Sequence, residues 1–179
     1  SVTVHRLFDS DIVLISPRST SSVSMAGFPR RRLVQAMALP EVEGITPVHW
    51  NLLLWRNPKT RGTRSILALG FEPGDPLFVD PTLAPKAQVL TQKGRVLFDE
   101  KSRPEFGPVA EWFRQGRTVE SEISGQRVRV AGLIELGTSF GADGNLLTSS
   151  ETFLDLLPNT PPGSIEVGLV RLQPGSDAD

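Results

Sequence analysis

The stretch Val48-His-Trp-Asn-Leu-Leu-Leu-Trp-Arg-Asn-Pro-Lys-Thr-Arg-Gly-Thr-Arg-Ser-Ile-Leu-Ala-Leu-Gly-Phe71 decides the fold. Val48, Trp50, Leu52 and Leu54 recur at every second position, the period of a strand with one face toward a core. Asn57-Pro58 to Gly62 is turn chemistry carrying Lys and Arg, and Ser65 to Phe71 is a second apolar run of strand length. The three pieces read as a β-hairpin.

Working outward, Asp11 to Ser16 is a short β-branched run stopped by Pro17 and reads as a buried strand, followed by a Ser/Thr-rich loop over 19–24. Phe28-Pro29 opens a helix, because Pro is pre-set in φ for a first turn and its missing N–H costs nothing there. Leu33, Val34 and Met37, with Ala38 at its margin, form the apolar stripe of that helix and Pro40 ends it. Pro73, Gly74, Pro76, Pro81 and Pro85 mark a subdomain junction. Beyond it, Arg95 to Phe98 reads as a strand. Val109 to Gln115 reads as a short helix with Ala110 and Phe113 inward and Gly116 as its stop. Thr118–Ser124 and Arg127–Leu136 read as strands joined by Gly125-Gln126 in a type II′ turn. Thr148-Ser-Ser-Glu151 matches a capping box, and the helix after it carries Phe153, Leu154, Leu156 and Leu157. Ser164 to Leu172 alternates again as a last strand. Short helices among hairpins make the expected fold class α+β.

The chain has 179 residues, 39% of them apolar, with 16 Gly and 15 Pro, a load of punctuation that excludes long helices. No run of about 18 uncharged apolar residues exists to span a bilayer. The first residues lack an initiator Met and the basic and apolar regions of a secretory signal, so the chain reads as a piece of something longer. Cysteine is absent, which removes disulfides and thiolate metal sites. The net charge of −1 and the absence of Tyr argue against a nucleic-acid binder. Charge is unevenly spread: residues 17–64 hold eight basic and two acidic groups, whereas residues 65–179 hold 10 basic and 16 acidic ones. Arg30, Arg31 and Arg32 fall in the first turn of a helix, where the dipole disfavours cations. That placement is a hint of a partner contact, with a plain solvated turn as the alternative.

Chemistry is sparse. Gly137-Thr-Ser139-Phe-Gly141 fits the G-x-S-x-G of a nucleophile elbow, which needs a strand before the Ser and a helix after it. Ala142-Asp-Gly-Asn145 follows instead, and both histidines, His5 and His49, lie upstream. A Gly-rich loop is expected there, and no catalytic residue is assigned. Two histidines 44 residues apart form no zinc spacing, and each reads as a surface or packing residue. Asp143-Gly-Asn145 is not a calcium loop, no phosphate-cradling loop is present, and the neighbouring acids Asp99 and Glu100 point apart in a strand. No cofactor or metal is expected.

Several blocks in order carry a resemblance: Asp11-Ile-Val-Leu-Ile-Ser-Pro17, Phe28-Pro-Arg-Arg-Arg-Leu33, Arg95-Val-Leu-Phe-Asp-Glu-Lys-Ser-Arg-Pro-Glu-Phe-Gly-Pro-Val-Ala-Glu-Trp-Phe113, Val128-Arg-Val-Ala-Gly-Leu133, Leu136-Gly-Thr-Ser-Phe-Gly-Ala-Asp-Gly-Asn145 and Val167-Gly-Leu-Val-Arg-Leu-Gln-Pro-Gly175. Together they resemble the periplasmic domain of DevC-type ABC transporter permeases, relatives of the MacB-type permeases. The resemblance implies a porter-like subdomain over residues 1–72 and 164–179, interrupted by a second, sabre-like mixed α/β subdomain over 73–163. It implies a parent with four membrane helices, a separate ATPase subunit, a membrane-fusion (adaptor) protein and a TolC-like outer-membrane channel. Glycolipid or another amphiphile is the cargo it implies, and direct binding of lipid cargo is the second reading. The family continues past the equivalent of Asp177 with a further helix and strand, so the porter-like unit is expected to be cut short. The parent is expected to be homodimeric and this piece monomeric. The docking surface expected for the adaptor is Phe28, Arg30, Arg31 and Arg32, with Arg61 and Arg64 as additions.

Overall fold

The computed structural model describes residues 7–176; His5 lies outside them. The long strand β3 (Val42–Arg56) is the backbone of the molecule. Its first half pairs antiparallel with β10 (Val167–Leu172), which in turn pairs with β1 (Ile12–Ile15). Its second half pairs with β4 (Thr63–Phe71) in register from His49 opposite Gly70 to Arg56 opposite Thr63. The expected hairpin is therefore present, with Asn57 Oδ1 accepting from the Lys59 and Thr60 amides inside the turn.

From β4 the sheet continues through β8 (Asn145–Ser149), β5 (Arg95–Asp99), β7 (Gln126–Ile134) and β6 (Glu120–Ile123). Trp55 of β3 then bridges Ile123 of β6, so these six strands close on themselves. Two pairings, β4 with β8 and β5 with β7, are parallel. A mixed sheet with short helices makes the fold α+β, as its sequence pattern led us to expect. The hairpin segment and the 73–163 segment share this sheet, since β4 pairs directly with β8. Among the described residues β1 remains a free outer edge.

Closure puts apolar side chains on both faces. Leu53, Trp55, Ile66, Ala68, Val96 and Phe98 fill the interior of the ring, and the Trp55 indole N–H donates to the Phe106 carbonyl at 2.9 Å. Val48, Trp50, Leu67, Leu69 and Phe71 face the other way, toward Phe8 and Phe140. This corrects the simple alternation read for β3. Val48 and Trp50 are buried on one face and Leu53 and Trp55 on the opposite one, while Leu52 and Leu54, on the face of Val48 and Trp50, are exposed because none of the described residues covers that end of it.

Two helices are seated by glycines. Helix α1 (Arg30–Ala36) lies over β10, where Leu33 presses on Gly168 so closely that a Cβ there would stand 2.9 Å from it. Of its expected stripe only Leu33 is buried, and Val34 and Met37 are exposed. The seven-residue helix meets the sheet through Leu33 and the half-buried Ala36, which turns Val34 and Met37 to solvent. Two further short helices are α2 (Leu83–Ala87) and α3 (Val109–Arg114). In α3 the buried residue is Val109, with Ala110 and Phe113 only half-buried. The last, α4 (Ser150–Leu156), follows β8 directly, and Phe153 packs on Gly70, whose added Cβ would lie 2.6 Å away.

Three further local readings shift. Strand β1 is half-exposed, as an edge strand, not buried. The β6–β7 loop is Ser124-Gly125, both with positive φ (50° and 82°), which is type I′ in place of type II′. The α4 cap is Ser149, whose hydroxyl accepts from the Thr152 amide at 3.0 Å; Thr148 stays in the strand and donates to the Arg95 carbonyl. Among the described residues no helix is long and apolar enough to cross a membrane.

Candidate functional site

A cleft of about 570 Å³ opens where β3 passes from its β10 half to its β4 half. Its walls are Arg30 of α1, His49 of β3, Glu72, Glu151 and Leu154 of α4, and the proline-rich loop 158–163. A two-residue ladder, β2 (Phe28–Pro29) with β9 (Ser164–Ile165), ties the start of α1 to that loop. The Arg30 amide donates to the Gly163 carbonyl at 2.7 Å and closes the joint.

His49 is 8% exposed and stacks flat on Phe153, with ring centroids 5.0 Å apart. Its Nδ1 lies 3.7 Å from Glu166 Oε2 and has no hydrogen-bond partner. Glu166 is itself buried, and the same oxygen accepts from the Trp50 amide at 3.0 Å. Its carboxylate thus serves the backbone of β3 at the point where the strand changes partners. Beyond the cleft, Asp75 is held above the ordinary carboxylate range, chiefly by burial, with Arg171 and Arg30 pulling the other way.

The six residues expected to dock a partner fall in two places. Phe28 is half-buried and Arg30, Arg31 and Arg32 are exposed on the first turn of α1, with no acid in that turn. Val34, Met37 and Leu39 add exposed apolar surface beside them. A groove between β1 and α1, lined by Leu14, Ile15, Pro17, Phe28, Pro29 and Arg32, runs alongside. Arg61 and Arg64 sit at the opposite end of β3 and are already paired. Arg61 lies 3.7 Å from Glu122, and Arg64 contacts Asp143 at 2.8 Å. That hydrogen bond holds the Asp143 carboxyl below its ordinary range. The structure therefore does not bring the two arginine groups together.

The remaining candidates are accounted for by their own loops. Ser139 lies in a 3-10 turn (Gly137–Phe140) with no helix directly behind it, and its hydroxyl donates to the Leu136 carbonyl at 2.5 Å. Asp99 and Glu100 do point apart. Asp99 is fully buried and accepts from the amides of Lys101, Leu136 and Gly137 and from the Asn145 side chain, while Glu100 pairs with Arg114. Among the described residues no three His, Asp or Glu side chains are grouped as metal ligands. The His49–Glu166 pair went unseen in the sequence. Its one signal was an acid set inside the apolar run Ile165-Glu-Val-Gly-Leu169.

Among solved structures, the periplasmic region of MacB from Actinobacillus actinomycetemcomitans superposes with a TM-score of 0.53 at 12% identity, over 84% of this chain and 67% of that one. The extracellular domain of the noncanonic ABC-type transporter YknZ from Gram-positive bacteria gives 0.51 at 13% identity, over 92% of this chain and 82% of that one. The chain has the fold of a MacB-like periplasmic domain. No family model and no curated protein matches its sequence. In this MacB-like fold Arg30 belongs both to the cleft wall and to the arginine turn of α1.

Proposed function

We propose that this chain is the periplasmic domain of an ABC exporter permease of DevC type, anchored in the inner membrane by its parent. It relays motion driven by a separate ATPase subunit to a membrane-fusion (adaptor) protein, within a tripartite pump that ends in a TolC-like channel. The cargo is a glycolipid or similar amphiphile, and the chain itself performs no catalysis. The single observation that carries the reading is the MacB-like fold, together with the block-wise sequence resemblance. A relay element needs stiffness, and a strand ring closed around packed Trp, Phe and Ile side chains supplies it.

The adaptor contact is the first turn of α1, where Arg30, Arg31 and Arg32 stand without intramolecular acids in their own turn and next to exposed Val34 and Met37. Replacing all three arginines by Glu is expected to abolish binding of the cognate adaptor measured by calorimetry, while Arg61→Glu has little effect because that side chain is engaged by Glu122. Unchanged affinity in the triple variant would sink the docking surface. The β1–α1 groove favours a second reading, direct engagement of amphiphilic cargo. Displacement of an apolar fluorescent probe by lipid, undisturbed by the arginine changes, would favour cargo over adaptor.

A further inference from the structure

His49 has no role in the relay, yet the fold builds a site around it. Nδ1 has no hydrogen-bond partner among the described residues, although the residue is more than nine-tenths buried. Nδ1 is fully enclosed and faces the Glu166 carboxylate at 3.7 Å. A neutral imidazole places its proton on the nitrogen nearest a carboxylate, which fixes the tautomer of the ring. Nε2 is then left with its lone pair toward the cleft that His49 lines, as an acceptor in need of a donor. Nε2 is not among the fully enclosed unpaired atoms, so it is the ring nitrogen that a molecule in the cleft can reach.

The surroundings say which donor. Glu72 and Glu151 line the same cleft, and Glu166 lies behind the ring. The one cation on the wall, Arg30, acts on the neighbouring carboxyl of Asp75. Leu154, Pro47 and the prolines of loop 158–163 supply apolar walls, and about 570 Å³ is within the range of small-molecule sites. We propose that this cleft binds an aliphatic primary ammonium, His49 Nε2 accepting one N–H while Glu72 and Glu151 provide the counter-charge and the prolines hold the aliphatic chain. The site shares Arg30 with the arginine turn but takes no ligand contact from it, nor from Arg31 or Arg32, so its carboxylates and His49 can be tested apart from adaptor docking.

The test is an imidazole 1H–15N long-range NMR titration of the 179-residue chain with n-hexylammonium. Only two histidines are present, and His5→Gln assigns the other signal. The expected result is His49 as the Nδ1–H tautomer, with a saturable shift at Nε2 on adding the amine. Glu72→Gln with Glu151→Gln, both exposed and safe for folding, is expected to weaken binding by about tenfold. His49→Phe, which keeps the stack on Phe153, is expected to abolish it in calorimetry. The proposal is overturned if His49 shows no saturable shift, if n-hexanol or n-hexanesulfonate shifts it equally, or if the double Gln variant binds as tightly as the parent.

Discussion

Asp75 shows how little an acidic residue reveals of its setting until its neighbours are known. It sits in a proline-rich stretch that reads as an exposed boundary, yet burial raises its carboxyl above the ordinary range despite the opposing pull of Arg171 and Arg30. A raised folded-state value means that the folded chain holds the proton more tightly than the unfolded one. The charged form therefore weakens the fold at neutral pH, and that cost disappears as pH falls below the folded value. Asp75→Asn is expected to raise the melting temperature slightly at pH 7, corresponding to about 0.5 kcal/mol or less for a partly solvated group. The gain should vanish near pH 3. A thermal melt series at both pH values checks it, and a loss of stability at pH 7 would show that the two arginines outweigh burial.

At the scale of elements, the sequence disclosed which segments form strands and helices far better than which of their faces are covered. The hairpin 48–71, the helix after Pro29 and the Pro158 stop were all legible, because turn residues and alternating apolar positions are local signals. Burial is not local. Leu52 and Leu54 keep the alternation of Val48 and Trp50, but the cover over that face ends before it reaches them. Likewise Val34 and Met37 extend a stripe of which only Leu33 is used, since the face that α1 turns to the sheet carries Leu33 over Gly168 and the half-buried Ala36. The cleft was illegible for the same reason. His49 and Glu166 are 117 residues apart in sequence and meet only because β10 pairs with β3. The helix contact yields a sharp contrast. Leu33→Ala is expected to cost about 2–5 kcal/mol in denaturant unfolding, while Val34→Ala and Met37→Ala stay within about 0.5 kcal/mol. Equal losses at all three positions would mean that α1 buries the whole stripe.

For the whole molecule, the decisive contact is the bridge between Trp55 and Ile123, because it turns an open sheet into a closed ring with one appendage. Inside the ring every strand has two partners, and a closed sheet presents no edge to solvent or to other chains. The appended strands differ. β10 has neighbours on both sides, but among the described residues β1 pairs with β10 alone, across four residues, and carries exposed Ile15 at its end. Opening β1 exposes little apolar surface, whereas opening β5 or β8 breaks two ladders and empties the interior that Phe98 and Leu146 share. Local opening free energies should therefore differ strongly along one continuous sheet. Native-state hydrogen exchange is expected to give amides of Val96–Phe98 and Leu146–Thr148 that exchange only with global unfolding. The outer-edge amides of Ile12–Ile15 should exchange through a far smaller local opening. Such a gradient leaves a rigid body joined to a yielding margin, and it places that margin beside the α1 arginines, the surface proposed above for the adaptor. Uniform protection from β1 to β6 would mean instead that the margin is as rigid as the ring, and that the α1 surface moves only with the molecule as a whole.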